Sequence, residues 1–334
     1  MDKILVSGCT GYIGSHTCVE LLNAGYEIIG LDNFSNSKRV VLDNITKITG
    51  KKITFYEGNM LDKSLLEKIF SENKIDFVID FAAYKAVGES ISKPIDYYIN
   101  NVSSVLTLLS VMKSYNVKNL IFSSSATVYG NPKVIPITEE CEVGGTTNPY
   151  GTSKLYVEGI LKDLYKSDNT WNICIFRYFN PIGAHQSGLI GEEPNGIPAN
   201  LLPYIANVAV GKLEYLNIFG SDYDTVDGTG VRDYIHVVDL AKAHVAGVKK
   251  LISLNGALKI YNLGTGTGYS VLEIVKTFEK VNNVKIPYKI IERRPGDVAE
   301  CYADASLALK ELGWKSELSL EDMCRDAYNF VINN

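Results

Sequence analysis

Tyr150 and Lys154 stand four residues apart in Tyr150-Gly151-Thr152-Ser153-Lys154, a spacing that puts a phenol and an ammonium on one face of a helix. A free tyrosine titrates near about pH 10, but a neighbouring cation favours its phenolate and makes Tyr150 a candidate general base near neutral pH. The pair alone is unspecific, because Tyr and Lys at this spacing also occur on solvated helix faces. Upstream, Ser123-Ser124-Ser125-Ala126-Thr127-Val128-Tyr129-Gly130 leaves the end of a candidate strand and offers the Ser125 hydroxyl to the same proton relay.

A second group lies at the start of the chain. Ser7-Gly8-Cys9-Thr10-Gly11-Tyr12-Ile13-Gly14 follows the first apolar run and opens a helix. Gly8, Gly11 and Gly14 fall where side chains would obstruct a pyrophosphate or the packing of strand on helix, and the helix N-terminus favours an anion. Asp32 ends the second apolar run, where a carboxylate can accept from both ribose hydroxyls of a dinucleotide and repel the extra phosphate of NADP. NAD is therefore the expected cofactor. In an open parallel sheet the carboxyl ends of the strands share one crevice, so the glycine turn, Asp32, Ser125 and the Tyr150 helix are expected to converge.

The elements that must position these groups are legible as alternation. Candidate strands at Ile4-Ser7, Glu27-Leu31, Thr54-Glu57, Phe77-Asp80, Asn119-Ser123 and Asn172-Arg177 are separated by helical patterns at Ile13-Asn23, Lys63-Asn73, Pro94-Tyr115 and Pro149-Tyr165. Asn148 is a candidate cap for the last, with Pro149 at its first position. This rhythm predicts an α/β fold with a doubly wound parallel sheet of Rossmann type and a smaller C-terminal substrate-binding α/β lobe. Loops rich in Gly and Pro follow Arg177. The expected division is residues 1–180 as the dinucleotide-binding domain, with 233–261 returning to it, and 181–232 with 262–334 as the second lobe.

The 334 residues are 46% hydrophobic and 21% charged with a net charge of -5, the composition of an ordinary globular protein. Nothing here favours nucleic acid or an anionic membrane, since basic residues cluster only in pairs. The six cysteines lack paired spacings, which predicts free thiols in a reducing cytoplasm. No signal-peptide core or 18-residue apolar run is present. The four histidines are not spaced as zinc ligands, so no metal is expected. No G-x-S-x-G elbow supports a serine hydrolase.

Further motifs extend the pattern: Gly8 to Thr17, Asp32-Asn33, Lys85-Ala86-Val87-Gly88-Glu89-Ser90, Ser123 to Gly130, Tyr150 to Lys154, Arg177-Tyr178-Phe179-Asn180-Pro181 and Gly228 to Val237. On these, over nearly its whole length, the chain resembles the extended short-chain dehydrogenase/reductase family, and within it the enzymes that interconvert UDP-glucose and UDP-galactose. The resemblance implies that Tyr150 takes the proton from the sugar O4 while C4 gives hydride to NAD. Ser125 would bond the reacting oxygen and Lys154 would tune Tyr150. The keto sugar would then turn and regain hydride on its other face, leaving NAD bound between turnovers.

By the same resemblance, Gly8, Gly11, Tyr12, Ile13, Gly14, Asp32, Asn33, Asn36, Asn59, Met60, Phe81, Lys85, Asn100, Ser125, Tyr150, Lys154 and Tyr178 would hold NAD. Ser125, Tyr150, Phe179, Asn180, Asn200, Leu201, Asn217, Phe219, Arg232, Arg294, Asp297 and Cys301 would surround the UDP-hexose, with the arginines suited to phosphate oxygens. Asn59 stands where many relatives have Asp. Cys301 stands where a Tyr accompanies restriction to glucose and galactose, so 2-acetamido sugars are also expected to enter. A homodimer through the Pro94-Tyr115 and Pro149-Tyr165 helices is implied.

Three other readings compete. A nucleotide-sugar 4,6-dehydratase needs further acid/base groups beside the strand-end hydroxyl, where this chain has Ser125-Ala126. A UDP-glucuronate epimerase or decarboxylase must recognise a sugar carboxylate. An NAD-sensing regulator would have no use for Ser125, Tyr150 and Lys154 together, although fold alone does not establish function.

Overall fold

The computed structural model describes residues 2–294 and 297–334. Its first part alternates strand and helix: β1 (Lys3–Ser7), α1 (Tyr12–Asn23), β2 (Glu27–Asp32), α2 (Val40–Thr49), β3 (Thr54–Glu57), α3 (Lys63–Glu72) and β4 (Phe77–Asp80). Then come α4 (Val87–Ser92), α5 (Pro94–Tyr98), a π-helical turn (Ile99–Ser103), α6 (Ser104–Ser114), β5 (Asn119–Ser125), α7 (Pro149–Ser167) and β6 (Asn172–Tyr178). The remainder holds β7 (Asn180–Ile182), α8 (Leu201–Ala209), β8 (Leu216–Phe219), β9 (Val231–His236), α9 (Val237–Ser253) and β10 (Ala257–Leu263). β11 (Gly268–Ser270), α10 (Val271–Asn282), β12 (Tyr288–Ile291), β13 (Glu300–Cys301), α11 (Ser306–Leu312) and α12 (Leu320–Asn333) complete it.

Seven strands form one parallel sheet in the order β10-β6-β5-β4-β1-β2-β3. Because both faces are covered by helices, the strands read as continuous apolar runs rather than as an alternation. Ile4, Val6, Ile79 and Ile121 join one core with residues of α1, α2 and α9, including Val19, Ile45 and Leu240. Leu5, Val78, Leu120 and Phe122, pointing the other way, pack with Leu66, Val105, Leu108 and Val157 of α3, α6 and α7. The period of two along each strand thus feeds two separate cores.

A second set of strands lies outside this sheet. β9 pairs with β7 and β13 in parallel and with β11 antiparallel, and β8 pairs with β12. Here Leu216, Ile218, Tyr234, Ile274, Phe278, Leu320 and Met323 make a third core under α8, α10 and α12. Of residues 233–261, α9 and β10 lie with the large sheet, whereas residues 233–236 close β9 in the second set.

The helices follow local chemistry where it is strong. Asn148 caps α7, its Oδ1 accepting from Gly151 N at 2.9 Å, and Pro149 occupies the first turn. The stretch expected as one helix from Pro94 to Tyr115 is instead α5, the π-helical turn and α6. Such a turn carries an extra residue, and here it brings Asn101 inward. The Asn101 side chain bonds both the N-H and the C=O of Tyr84, at 2.8 and 2.9 Å, and its amide donates to Ser153 Oγ at 3.0 Å.

Candidate active site

The strand order reverses between β1 and β4, which opens a crevice at their carboxyl ends. Gly8 follows β1 there with φ +68°, and a Cβ on it would lie 3.1 Å from Ala82 N, just beyond β4. At Gly14 a Cβ would stand 2.0 Å from Gly8 O, so any side chain would force the turn away from α1. No side chain caps the N-terminus of α1, whose first N-H groups are left for an anion. Asp32 ends β2; its Oδ2 accepts from Thr10 N at 3.0 Å and its Oδ1 from Phe34 N at 2.9 Å. The carboxylate is thereby fixed at the rim with acceptor capacity to spare.

These groups line a cleft of about 880 Å³, ample for a dinucleotide. Gly8, Gly11, Tyr12, Ile13, Gly14, Asp32, Asn33, Asn36, Asn59, Met60, Phe81, Lys85, Asn100, Tyr150, Lys154 and Tyr178 all face it, as does Asn200 from the second set of elements. The cleft fits the expected cofactor by its glycine cradle, its bare helix N-terminus and its rim carboxylate.

Tyr150 and Lys154 sit on the first turns of α7, and Ser125 is the last residue of β5. Lys154 is buried, and its Nζ donates to Ser123 O at 2.6 Å and lies 4.9 Å from the Phe122 ring centroid. Burial lowers its ammonium to about 8, although the Asp80 carboxylate opposes this. Burial likewise raises the Tyr150 phenol above its ordinary value, while hydrogen bonding to Ser125 pulls it down. Ser125 Oγ itself accepts from Thr127 N and Thr127 Oγ1 at 3.2 and 3.0 Å. Ser153 Oγ donates to Tyr150 O at 2.7 Å, linking the turn that carries the phenol to Asn101.

Sequence reasoning did not single out several of these supports. Asp80 ends β4 and accepts from Ser7 Oγ at 2.5 Å, placing an anion near Lys154 from a strand far away in sequence. Asn101 joins the Lys85 loop to α7. Glu192 lines the cleft and bonds Lys85 and Asn200. Each acts through partners remote in the chain, and no local pattern marks it.

The other residues expected around the sugar nucleotide gather elsewhere, on β8, β9, β13 and the loop between β12 and β13. Asn217 and Phe219 share the outward face of β8, opposite buried Leu216 and Ile218, and the Arg294 guanidinium stacks 3.9 Å from the Phe219 ring centroid. Arg232 Nη2 stands 3.5 Å from Asp297 Oδ1. Cys301 pairs in register with Arg232 and packs in a cluster with Phe179, Val128 and Tyr129 just after Ser125. Asn180 is exposed on β7, and Leu201 begins α8 beside Asn200. Among the described residues no three His, Cys, Asp or Glu side chains converge as metal ligands.

This fold, with the glycine turn, Asp32, Ser125, Tyr150 and Lys154 at the carboxyl edge of the large sheet, is that of the Rossmann-type class of extended short-chain dehydrogenases and reductases. The profile of the family described as GDP-mannose 4,6 dehydratase matches residues 5–327. UDP-glucose 4-epimerase of Haemophilus influenzae is 62% identical over 331 residues, covering 99% of this chain and 98% of that protein. UDP-glucose 4-epimerase from Bifidobacterium longum, solved in complex with NAD+ and UDP, superposes with a TM-score of 0.96 at 58% identity, over 99% of this chain and 98% of that one. The UDP-Glc/GlcNAc 4-epimerase of Campylobacter jejuni superposes at 0.87 with 34% identity, over 100% of both chains. The chain belongs to this family and, within it, to the UDP-glucose 4-epimerases.

Proposed function

We propose that the protein interconverts UDP-galactose and UDP-glucose by inverting C4 of the hexose, with NAD held in the cleft between turnovers. The observation that carries this is that Tyr150, hydrogen-bonded to Ser125, and Lys154 one helical turn further on both line the crevice formed by the glycine turn and Asp32, with Ser125 behind the phenol rather than in the lining. The chemistry that NAD supplies when bound is reversible hydride acceptance. Tyr150 takes the proton of the 4-hydroxyl and returns it, and Ser125 hydrogen-bonds the same oxygen. Lys154 fixes the ribose next to the nicotinamide and, when protonated, favours the phenolate. The glycine turn and the α1 N-terminus hold the pyrophosphate of the dinucleotide, Asp32 its ribose, and Asn33, Asn36, Asn59 and Met60 the adenosine end. Phe81, Lys85, Asn100 and Tyr178 line the nicotinamide half.

Arg232 and Arg294 meet the diphosphate of the substrate, and Phe219, Asn217, Asn180, Asn200, Leu201 and Asp297 surround its uridine and phosphates. Residues 1–180 with the returning α9 and β10 form the cofactor domain, and the rest forms the sugar-nucleotide lobe. A cytoplasmic homodimer is part of this reading. Its support is an apolar surface on the helices flanking the cleft, where Ile91, Ile95, Ile99, Leu106 and Tyr156 are all exposed.

The test is a product assay on purified protein given UDP-galactose without added NAD, with the epimers resolved chromatographically. Conversion is expected in the wild type, and Tyr150→Phe should lose it by about 10²- to 10⁴-fold while keeping its NAD. Wild type that retains NAD yet converts nothing would favour the sensor reading.

Cys301, small and half-buried beside Phe179, leaves room at the sugar for a 2-acetamido group, so UDP-N-acetylgalactosamine is proposed as a second substrate. Cys301→Tyr should abolish its conversion and spare that of UDP-galactose; full acetamido-sugar turnover in this variant would refute the gate.

A further inference from the structure

Asn101 lies within the π-helical turn, buried behind the residues that line the cleft. Its side-chain amide uses every hydrogen-bonding capacity it has. Oδ1 accepts from Tyr84 N at 2.8 Å and from Asn100 Nδ2 at 3.0 Å. Nδ2 donates to Tyr84 O at 2.9 Å and to Ser153 Oγ at 3.0 Å. Ser153, also buried, donates in turn to Tyr150 O at 2.7 Å. A serine that bonds back to the preceding turn is ordinary in a helix, but here the same hydroxyl is also held from outside the helix by the amide. Tyr84, Asn100 and Tyr150 all line the cleft, as does Lys85 next to Tyr84. One amide that does not reach the cleft thus ties together three segments that do.

We infer that Asn101 is a positioning residue for the proposed reaction: through Ser153 it sets the turn of α7 that carries the Tyr150 phenol against the Lys85 loop and Asn100. The inference rests on the proposed epimerase reading and deepens it. A phenol exchanges its proton with a sugar hydroxyl only at hydrogen-bond distance, and a misplacement of about 1 Å at such a site can cost about 10²-fold in rate. Tyr150 is the second residue of α7, in a first turn that no preceding turn of helix holds. The Asn148 cap fixes this turn at Gly151 N, and the Asn101–Ser153 pair fixes it again from the side of the Lys85 loop. Both groups are buried, so a link left half-made is costly and the pair acts as a unit. Because the link ends on the backbone of Tyr150, it bears on proton transfer rather than on the sugar-nucleotide contacts proposed for β8, β9 and the loop after β12.

Steady-state kinetics of variants purified with their NAD test it. Ser153→Ala should lower kcat for UDP-galactose about tenfold while KM stays within about twofold, with NAD content and thermal midpoint close to wild type. Asn101→Ala should lower kcat at least as far, and adding Ser153→Ala to it should lower kcat by less than about a further twofold, because the two groups act through one link. Ser153→Ala with kcat within about twofold of wild type overturns the inference, whether or not Asn101→Ala folds. Effects that multiply in the double variant overturn it too, as does a loss in Ser153→Ala that comes with a matching rise in KM and loss of NAD, the mark of a merely structural role. Absence of UDP-galactose conversion by the wild type would instead overturn the epimerase reading itself.

Discussion

At the scale of single residues, the site depends on burying ionisable groups next to one another. Lys154 is the case with the sharpest consequence. Its ammonium has an ordinary value of 10.5 and is lowered to about 8 in the fold. Between those values the unfolded chain keeps the proton and the folded chain has released it, so Lys154 adds stability as pH rises. In the protein freed of NAD, the stability of wild type relative to Lys154→Met should therefore grow by about 2 kcal/mol from pH 8 to pH 10. Urea unfolding at the two pH values measures it, and a flat or falling difference would refute the assignment. Tyr150, Lys154 and Ser125 were legible in the sequence because each belongs to a short motif with a chemical use. Asp80 and Asn101 were not: an Asp at a strand end and an Asn within a helix acquire meaning only from Ser7, Tyr84 and Ser153, which the fold brings to them.

At the scale of elements, the large sheet is joined to α7 by a buried ion pair. Arg177 of β6 donates to both carboxylate oxygens of Glu158, at 2.9 and 2.6 Å, and to Tyr129 Oη at 2.8 Å. Ser124 of β5 donates to the same carboxylate at 2.6 Å, and Tyr129 Oη donates to Asn262 of β10 at 2.7 Å. One network thus spans β5, β6, β10 and the helix that carries Tyr150. Removing one partner strands a buried charge, so Glu158→Ala should cost about 3–5 kcal/mol of unfolding free energy, read from the urea midpoint. A loss under about 1 kcal/mol would mean the pair contributes little. The central strands were readable because burial on both faces leaves uninterrupted apolar runs. The short strands of the second lobe were not: β7 and β11 have three residues each and β13 two, too few for any period to register. Asp233 illustrates what holds them, accepting from Thr265 N, Gly266 N and Ala303 N at 2.8 to 3.1 Å across gaps of 32 to 70 residues.

At the scale of the whole molecule, the proposed dimer makes a separate claim. Ile95 is 70% exposed and Ile91 64%, with Ile99 and Tyr156 nearby on the same helical layer, an apolar surface of the kind monomers seldom leave to water. Ile95→Glu should shift sedimentation toward the monomer and leave the fold intact by circular dichroism. A wild type that sediments as a monomer at micromolar concentration would rule the dimer out.

The π-helical turn at Ile99–Ser103 connects that outer surface to the cleft. Each residue of an α-helix advances the chain by about 100°, and the turn inserts one step between Pro94–Tyr98 and Ser104–Ser114. It acts as a phase shifter, letting Ile95 look outward while Asn100 and Asn101 look in. Deleting one residue there would rotate one half of the helical segment by about 100° against the other. Either Ile95 or the asparagines would then lose their side, so the one extra residue ties the outer surface of this helical segment to the lining of the cleft.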